Sequence, residues 1–282
     1  MNRKLLSLYG LKWNPFTPDI PDDALWRTPE AEHFCWRLEQ QVRDGGFAVI
    51  TGESGTGKSI TLRLLARHLA GMPDIIAGVL TRPQSRIADF YRELGDIFGV
   101  PLKVHYRWAS FKDLRAKWET HLAAKHWRPV LLIDEAQEME PDVLSELRLL
   151  ASTHFDSRRI LTVVLSGDNR LLDLLRLPQL LPLGTRIGPR LTLEPVTPKQ
   201  LSELIAHLLN QAGNPRLMTT GLIATLSEHA AGNHRVLSNM AAELLAEGLR
   251  RESSQLDEKL YLEVFGPSSR SRSRNDARKV AG

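Results

Sequence analysis

Apolar positions along the chain switch between two periods. Short continuous apolar runs occur at Phe47–Thr51, Ile75–Leu80, Pro129–Glu135, Ile160–Leu165 and Arg190–Glu194. Runs of four to seven residues bounded by Gly, Pro or charged residues suit strands buried on both faces. Between them, apolar residues recur at helical spacing over Ser59–Leu69, Ile87–Phe98, Phe111–Ala124 and Val143–Ala151. Gly71 closes the first of these helices, and Gly99 with Pro101 closes the second. Strands alternating with helices predict an α/β domain, a parallel sheet in three layers. From Val196 the pattern is helical only. Thr197-Pro198 is a cap followed by proline at the first helical position, and Gly213 ends that helix. Further helices are predicted at Thr220–Ala230, Arg235–Arg250 and Leu256–Phe265.

The expected organisation is therefore an α/β core with an N-terminal arm over residues 1–195, a small all-helical domain over 196–265, and a tail over 266–282. The chain has 282 residues, 42% hydrophobic and 25% charged, as in ordinary globular proteins. Its net charge is +4, and the tail, with five basic residues and one acidic, carries that whole excess. Its run of Ser and Arg predicts disorder and suits a nucleic-acid-binding arm or a solvated tail equally. No apolar stretch approaches the ~20 residues of a membrane span. The single cysteine, Cys35, excludes an internal disulfide and reads as a core thiol. No membrane contact and a cytoplasmic location are expected.

The first run feeds into Gly52-Glu53-Ser54-Gly55-Thr56-Gly57-Lys58-Ser59, which fits G-x-x-x-x-G-K-[ST] at every fixed position. Strand, loop and helix follow in the order this phosphate-binding motif requires. The glycines let several N–H groups converge on one anion. Lys58 brings a charge to the β- and γ-phosphates of ATP, and Ser59 a hydroxyl to Mg²⁺. Asp134 ends a buried strand, where it can join Ser59 at the metal. Glu135 beside it can orient and deprotonate a water. That pair favours hydrolysis over transfer to a small acceptor. A polar residue after the fourth strand would lie between the acids and sense the γ-phosphate: Asn169, or Asp168 as the alternative.

Together with Leu132-Ile133-Asp134-Glu135-Ala136-Gln137, the motifs Tyr9–Phe16, Leu144–Leu150, Gly184–Ile187 with Arg190–Leu193, and Gly232–Asn239 carry a resemblance over about residues 8–265. The chain resembles AAA+ ATPases of the ExeA (general secretion pathway A) family. The resemblance implies a nucleotide site between an α/β core and a helical lid. Arg186, or Arg190 in its stead, matches an arginine finger acting on a neighbouring subunit, and Arg235 matches a second sensor in the lid. Gly167-Asp168-Asn169-Arg170-Leu171 departs from the family's usual Gly-Gln-Pro-Glu-Leu. The secretion protein's membrane span and peptidoglycan-binding domain have no counterpart here. The chain in this respect looks like the transposition helper ATPases of the TnsC, TniB, MuB and IstB kind. They imply a homo-oligomer, ring or filament, on double-stranded DNA that recruits a transposase. Arg82 and Arg86, aided by Lys112 and Arg115, are the expected DNA contacts; a strand end and a solvated helix face are the competing readings. A cytoplasmic assembly ATPase of a secretion system without a DNA role is the alternative. Trp13, Pro15 and Phe16 suit either an adenine flank or an anchor for the N-terminal arm.

Overall fold

The computed structural model describes residues 3–102, 107–125 and 127–266. In chain order its elements are α1 (Arg3–Tyr9), α2 (Pro29–Asp44), β1 (Gly46–Gly52), α3 (Lys58–Ala70), β2 (Ala77–Leu80), α4 (Ile87–Phe98) and α5 (Arg107–Lys125). There follow β3 (Val130–Ile133), α6 (Pro141–Leu150), β4 (Ser152–Thr153), β5 (Arg158–Arg159), β6 (Thr162–Gly167), α7 (Asn169–Leu175), α8 (Leu181–Gly184) and β7 (Ile187–Leu193). The last four are helices: α9 (Pro198–Ala212), α10 (Thr220–His229), α11 (His234–Arg250) and α12 (Glu258–Phe265). Two compact units result, Arg27–Glu194 and the described residues before and after that span.

The first unit is the α/β domain. Its sheet has five parallel strands in the order β2-β3-β6-β1-β7. The three inner strands are buried at every residue, which is why they read as unbroken apolar runs. The edge strands β2 and β7 alternate instead. The strand β7 begins three residues before its expected start. Pro189 sits where the register with β1 shifts between Phe47 and Val49, and a residue without an N–H is tolerated at such a bulge. Phe90, Leu94, Trp118, Leu144 and Leu147 cover one face of the sheet. Phe34, Leu38, Val42, Leu62, Leu65 and Leu69 cover the other. Each such side chain adds roughly 1.5–3 kcal/mol by leaving water. Cys35 belongs to the second cluster, and burial first, then Glu32, pushes its thiol up to about 11.

Several elements lie outside the expected ones, among them α1, α2, the pair β4–β5, α7 and α8. The helix α2 starts with the same Thr-Pro grammar as α9: Thr28 Oγ1 accepts from Ala31 N at 3.2 Å, with Pro29 at the first position. The short pair β4–β5 and helix α7 are too brief for periodicity to show.

The second unit is all-helical. At α9 the Thr197 and Gln200 side chains each cap the other's backbone, and Gly213 closes the helix at φ +104. Residues 3–26, expected with the α/β core, pack here instead. Tyr9 of α1 is buried, and desolvation pushes its hydroxyl up to about 12. Lys12 N donates to Ala212 O at 2.8 Å, and His207 Nε2 lies 3.0 Å from Ala24 O. Pro15 and Phe16 are buried. The arm joins this unit because its apolar residues find their partners there. Of the expected tail, all but Gly266 lies outside the described residues. No helix among the described residues is long and apolar enough to cross a membrane.

Candidate nucleotide site

The loop between β1 and α3 is built around glycine for two separate reasons. Gly57 caps α3 at φ +104, and Gly55 stands at φ +84, both in the left-handed region. Gly52 fails differently when replaced: an added Cβ would lie 2.5 Å from the Leu193 carbonyl oxygen and 2.7 Å from Thr56 Oγ1. The loop thus leaves β1 pressed against the end of β7. Thr56 Oγ1 donates to Glu53 O at 2.8 Å and ties the loop across its base. Lys58 is buried, and its ammonium donates to Gly52 O at 2.9 Å and Glu53 O at 3.1 Å. The first turn of α3 offers unpaired N–H groups and the positive end of its dipole beside that ammonium.

The second half of the site comes from β3 and β6. Asp134 follows β3 and accepts three hydrogen bonds. Ser59 Oγ donates to its Oδ2 at 2.7 Å, Ser166 Oγ to Oδ1 at 3.0 Å, and Glu135 N to Oδ1 at 3.0 Å. A carboxylate has about four acceptor positions, so among the described residues one stays open on the oxygen beside Ser59. Neighbouring oxygens on a Mg²⁺ octahedron stand about 2.9 Å apart, close to this separation. Among the described residues no group of three His, Cys, Asp or Glu side chains converges. That donor set suits Mg²⁺, which takes one or two protein oxygens and fills its shell with water and phosphate. Ser166 was not singled out in the sequence; its signal is a polar residue within a buried strand.

Glu135 is exposed and sits at φ +52, left-handed without being glycine. The Gln137 side chain donates through Nε2 to Glu135 Oε2. Of the two sensor candidates, Asn169 faces the loop: its Nδ2 donates to Glu53 Oε1 at 2.7 Å. Asp168 is occupied otherwise. It caps α7 by accepting from Arg170 N at 2.9 Å and pairs with the Arg170 guanidinium, which holds its carboxyl below the usual range.

Arg186 precedes β7 and pairs with Asp156 on the turn between β4 and β5, donating also to Pro182 O. Hydrogen bonds from Ser152 first, then Arg186, lower the Asp156 carboxyl. Arg190 donates to Gly184 O at 3.2 Å. Arg235 is exposed in the first turn of α11, on the helical unit. Arg82 and Arg86 are exposed after β2, Arg86 immediately before α4. On α5, Lys112 lies 5.1 Å from the Trp108 ring centroid and Arg115 lies 5.0 Å from that of Phe111. A separate cleft of about 800 Å³, lined by Trp108, Phe111, Leu149 and Phe155, opens beside the β4–β5 turn, and no phosphate-loop residue borders it.

The chain is similar to known proteins both in sequence and in fold. Residues 41–175 match the model of an AAA domain. General secretion pathway protein A of Aeromonas hydrophila is 29% identical over 253 residues, covering 88% of this chain and 45% of that protein. The chain thus spans less than half the length of that relative. Among solved structures, Cdc6p of Pyrobaculum aerophilum superposes with a TM-score of 0.66 at 16% identity, covering 86% of this chain and 67% of that one. The Aeropyrum pernix ORC1 protein in complex with DNA gives 0.66 at 17%, covering 93% and 69%. Drosophila ORC bound to DNA gives 0.65 at 19%, covering 90% and 63%. Residues 41–175 are thus similar to an AAA domain, and the chain shares the parallel α/β fold of these solved structures.

Proposed function

We propose that this chain is a Mg²⁺-dependent ATPase whose turnover is coupled to self-assembly. The observation that carries the reading is the 2.7 Å contact between Ser59 Oγ and Asp134 Oδ2, which joins residues 75 apart in sequence at the end of the phosphate loop. Lys58, already inside the loop, binds the β- and γ-phosphates. Ser59 and Asp134 hold the metal, and bound Mg²⁺ neutralises phosphate charge. Glu135 orients a water and takes its proton. Asn169 stands against the loop as the sensor, with Asp168 committed to capping. Arg186, once separated from Asp156, is free to act on a neighbouring copy, and Arg235 supplies a further cation.

Phosphate release with and without Mg²⁺ tests this directly. Lys58→Ala is expected to lower turnover on the order of 100-fold or more, the scale of losing one transition-state donor. Turnover independent of both Lys58 and Mg²⁺ would refute the assignment.

Similarity to general secretion pathway protein A supports a role in assembling a secretion or envelope machine, from the cytoplasmic side. A second reading has its own support. Two structural neighbours are described as DNA-bound, and Arg82 and Arg86 are exposed together after β2. In that reading the oligomer forms on duplex DNA and recruits a transposase. ATP-dependent retention of duplex DNA at low salt, lost in Arg82→Ala with Arg86→Ala, distinguishes the two, because phosphate contacts are strongest there.

A further inference from the structure

Gln137 bonds the Glu135 carboxylate, and the hydrolytic reading leaves it without a task. It lies in the short turn Ala136–Glu138, and the left-handed backbone at Glu135 brings side chains 135 and 137 together. Both ends of its amide are used. The Nε2 donates to Glu135 Oε2, and Oε1 accepts from the backbone N–H of Asp168 at 3.2 Å. Gly167 makes room for this: a Cβ there would lie 2.4 Å from Gln137 Oε1. One residue past Asp168, Asn169 holds Glu53 of the phosphate loop. A continuous path therefore runs from the loop, through the start of α7, to the Glu135 carboxylate.

We propose that Gln137 is a positioning residue that sets the Glu135 carboxylate in register with the phosphate loop through residues 168–169. The proposal rests on the reading of Glu135 as the group that orients water. An amide bonded at both ends cannot turn without releasing one partner. Its side chain thus removes rotational freedom from a glutamate otherwise open to solvent, and it passes any displacement of Asn169 on to that glutamate. A second acceptor at position 137 would repel Glu135; an apolar one would leave it unrestrained. Glutamine is the residue whose donor meets the carboxylate while its acceptor meets the N–H.

The test uses the full chain and four variants, with phosphate release and binding of a fluorescent ADP analogue measured on each. Gln137→Met, of similar length without the amide, is expected to lower kcat about 10- to 100-fold, the scale of misplacing a catalytic group by about 1 Å. KM and nucleotide affinity stay within twofold. Gly167→Ala, which displaces the amide without altering it, is expected to lower kcat in the same way. In a Glu135→Gln background Gln137→Met is expected to cost nothing further, because its effect passes through Glu135. A Gln137→Met enzyme with wild-type kcat overturns the proposal, and so does an equal loss in both backgrounds, which marks a merely structural role. Absence of phosphate release by the wild-type protein would overturn the hydrolytic reading and this inference with it. Wild-type release, lost in Glu135→Gln but kept in Gln137→Met, overturns the inference alone.

Discussion

The phosphate loop and the β4–β5 turn both force the backbone into the left-handed region, with opposite residue choices. The loop uses Gly55 at φ +84 and Gly57 at φ +104. The turn uses His154, Phe155 and Asp156, at +51, +57 and +66. Glycine adopts these angles without steric penalty, whereas each other residue costs roughly 1–2 kcal/mol. The loop thus takes its shape without steric strain, at the entropic cost of ordering glycine. The turn is held by its contacts: Asp156 by Ser152 and Arg186, with the Phe155 side chain fully exposed. Strain that persists in spite of its cost points to what holds it, here the guanidinium expected to act between subunits.

Replacing Gly52 by alanine should give the largest structural effect. The new Cβ meets a backbone oxygen at 2.5 Å, which cannot swing aside as a side chain would. A loss of about 3 kcal/mol is expected, at the upper end for overpacking. Thermal melting would show it, and an unchanged melting temperature would mean the loop does not press on β7 as described.

On the turn's side of the domain, Glu146 is the buried charge. It accepts from Arg107 Nε at 3.0 Å and from Tyr91 Oη and Arg107 Nη2. Burial pushes its carboxyl up, but these hydrogen bonds outweigh that and hold it below the ordinary range. A depressed folded value means stability that is full above the unfolded value of about 4.3 and fades as pH falls through the folded one. Arg107→Ala should cost about 2 kcal/mol at pH 7, less than for a fully enclosed pair because Arg107 is largely in solvent. Its penalty should shrink on acidification, when Glu146 can be neutral. Denaturant melts at pH 7 and pH 4 measure both; a penalty that grows with acid would contradict the assignment.

The smallest effect has the opposite sign. Phe155→Gly should stabilise the domain by about 1 kcal/mol, since glycine relieves the left-handed cost and the exposed ring loses little burial. A lower melting temperature would show that Phe155 is held by contacts and that the comparison between loop and turn fails.

What was legible in sequence follows from the same contrast. Buried parallel strands announce themselves as apolar runs, and the phosphate loop as fixed glycines, so the sheet and the residues Gly52–Ser59, Asp134 and Glu135 were open to inference. Caps made the helical unit legible through Thr197-Pro198. The equivalent Thr28-Pro29 opens a helix whose stripe, Ala31, Phe34, Cys35, Leu38 and Val42, carries the same helical spacing and was equally legible. Pairings between distant segments carried no local signal. The Asp156 partner of Arg186, the link from Gln137 to Asp168 and the placement of Phe16 with the helical unit each depend on the folded chain.

The central claim is that Glu135 performs the chemistry in a site that Lys58, Ser59 and Asp134 assemble. Glu135→Gln separates binding from hydrolysis, since the amide keeps the shape and loses the base. Phosphate release and ATP binding measured on the same preparation decide the matter. The account predicts ATP bound with wild-type affinity and turnover lower by at least 100-fold, within the range for losing a general base. Wild-type turnover in that variant would contradict it.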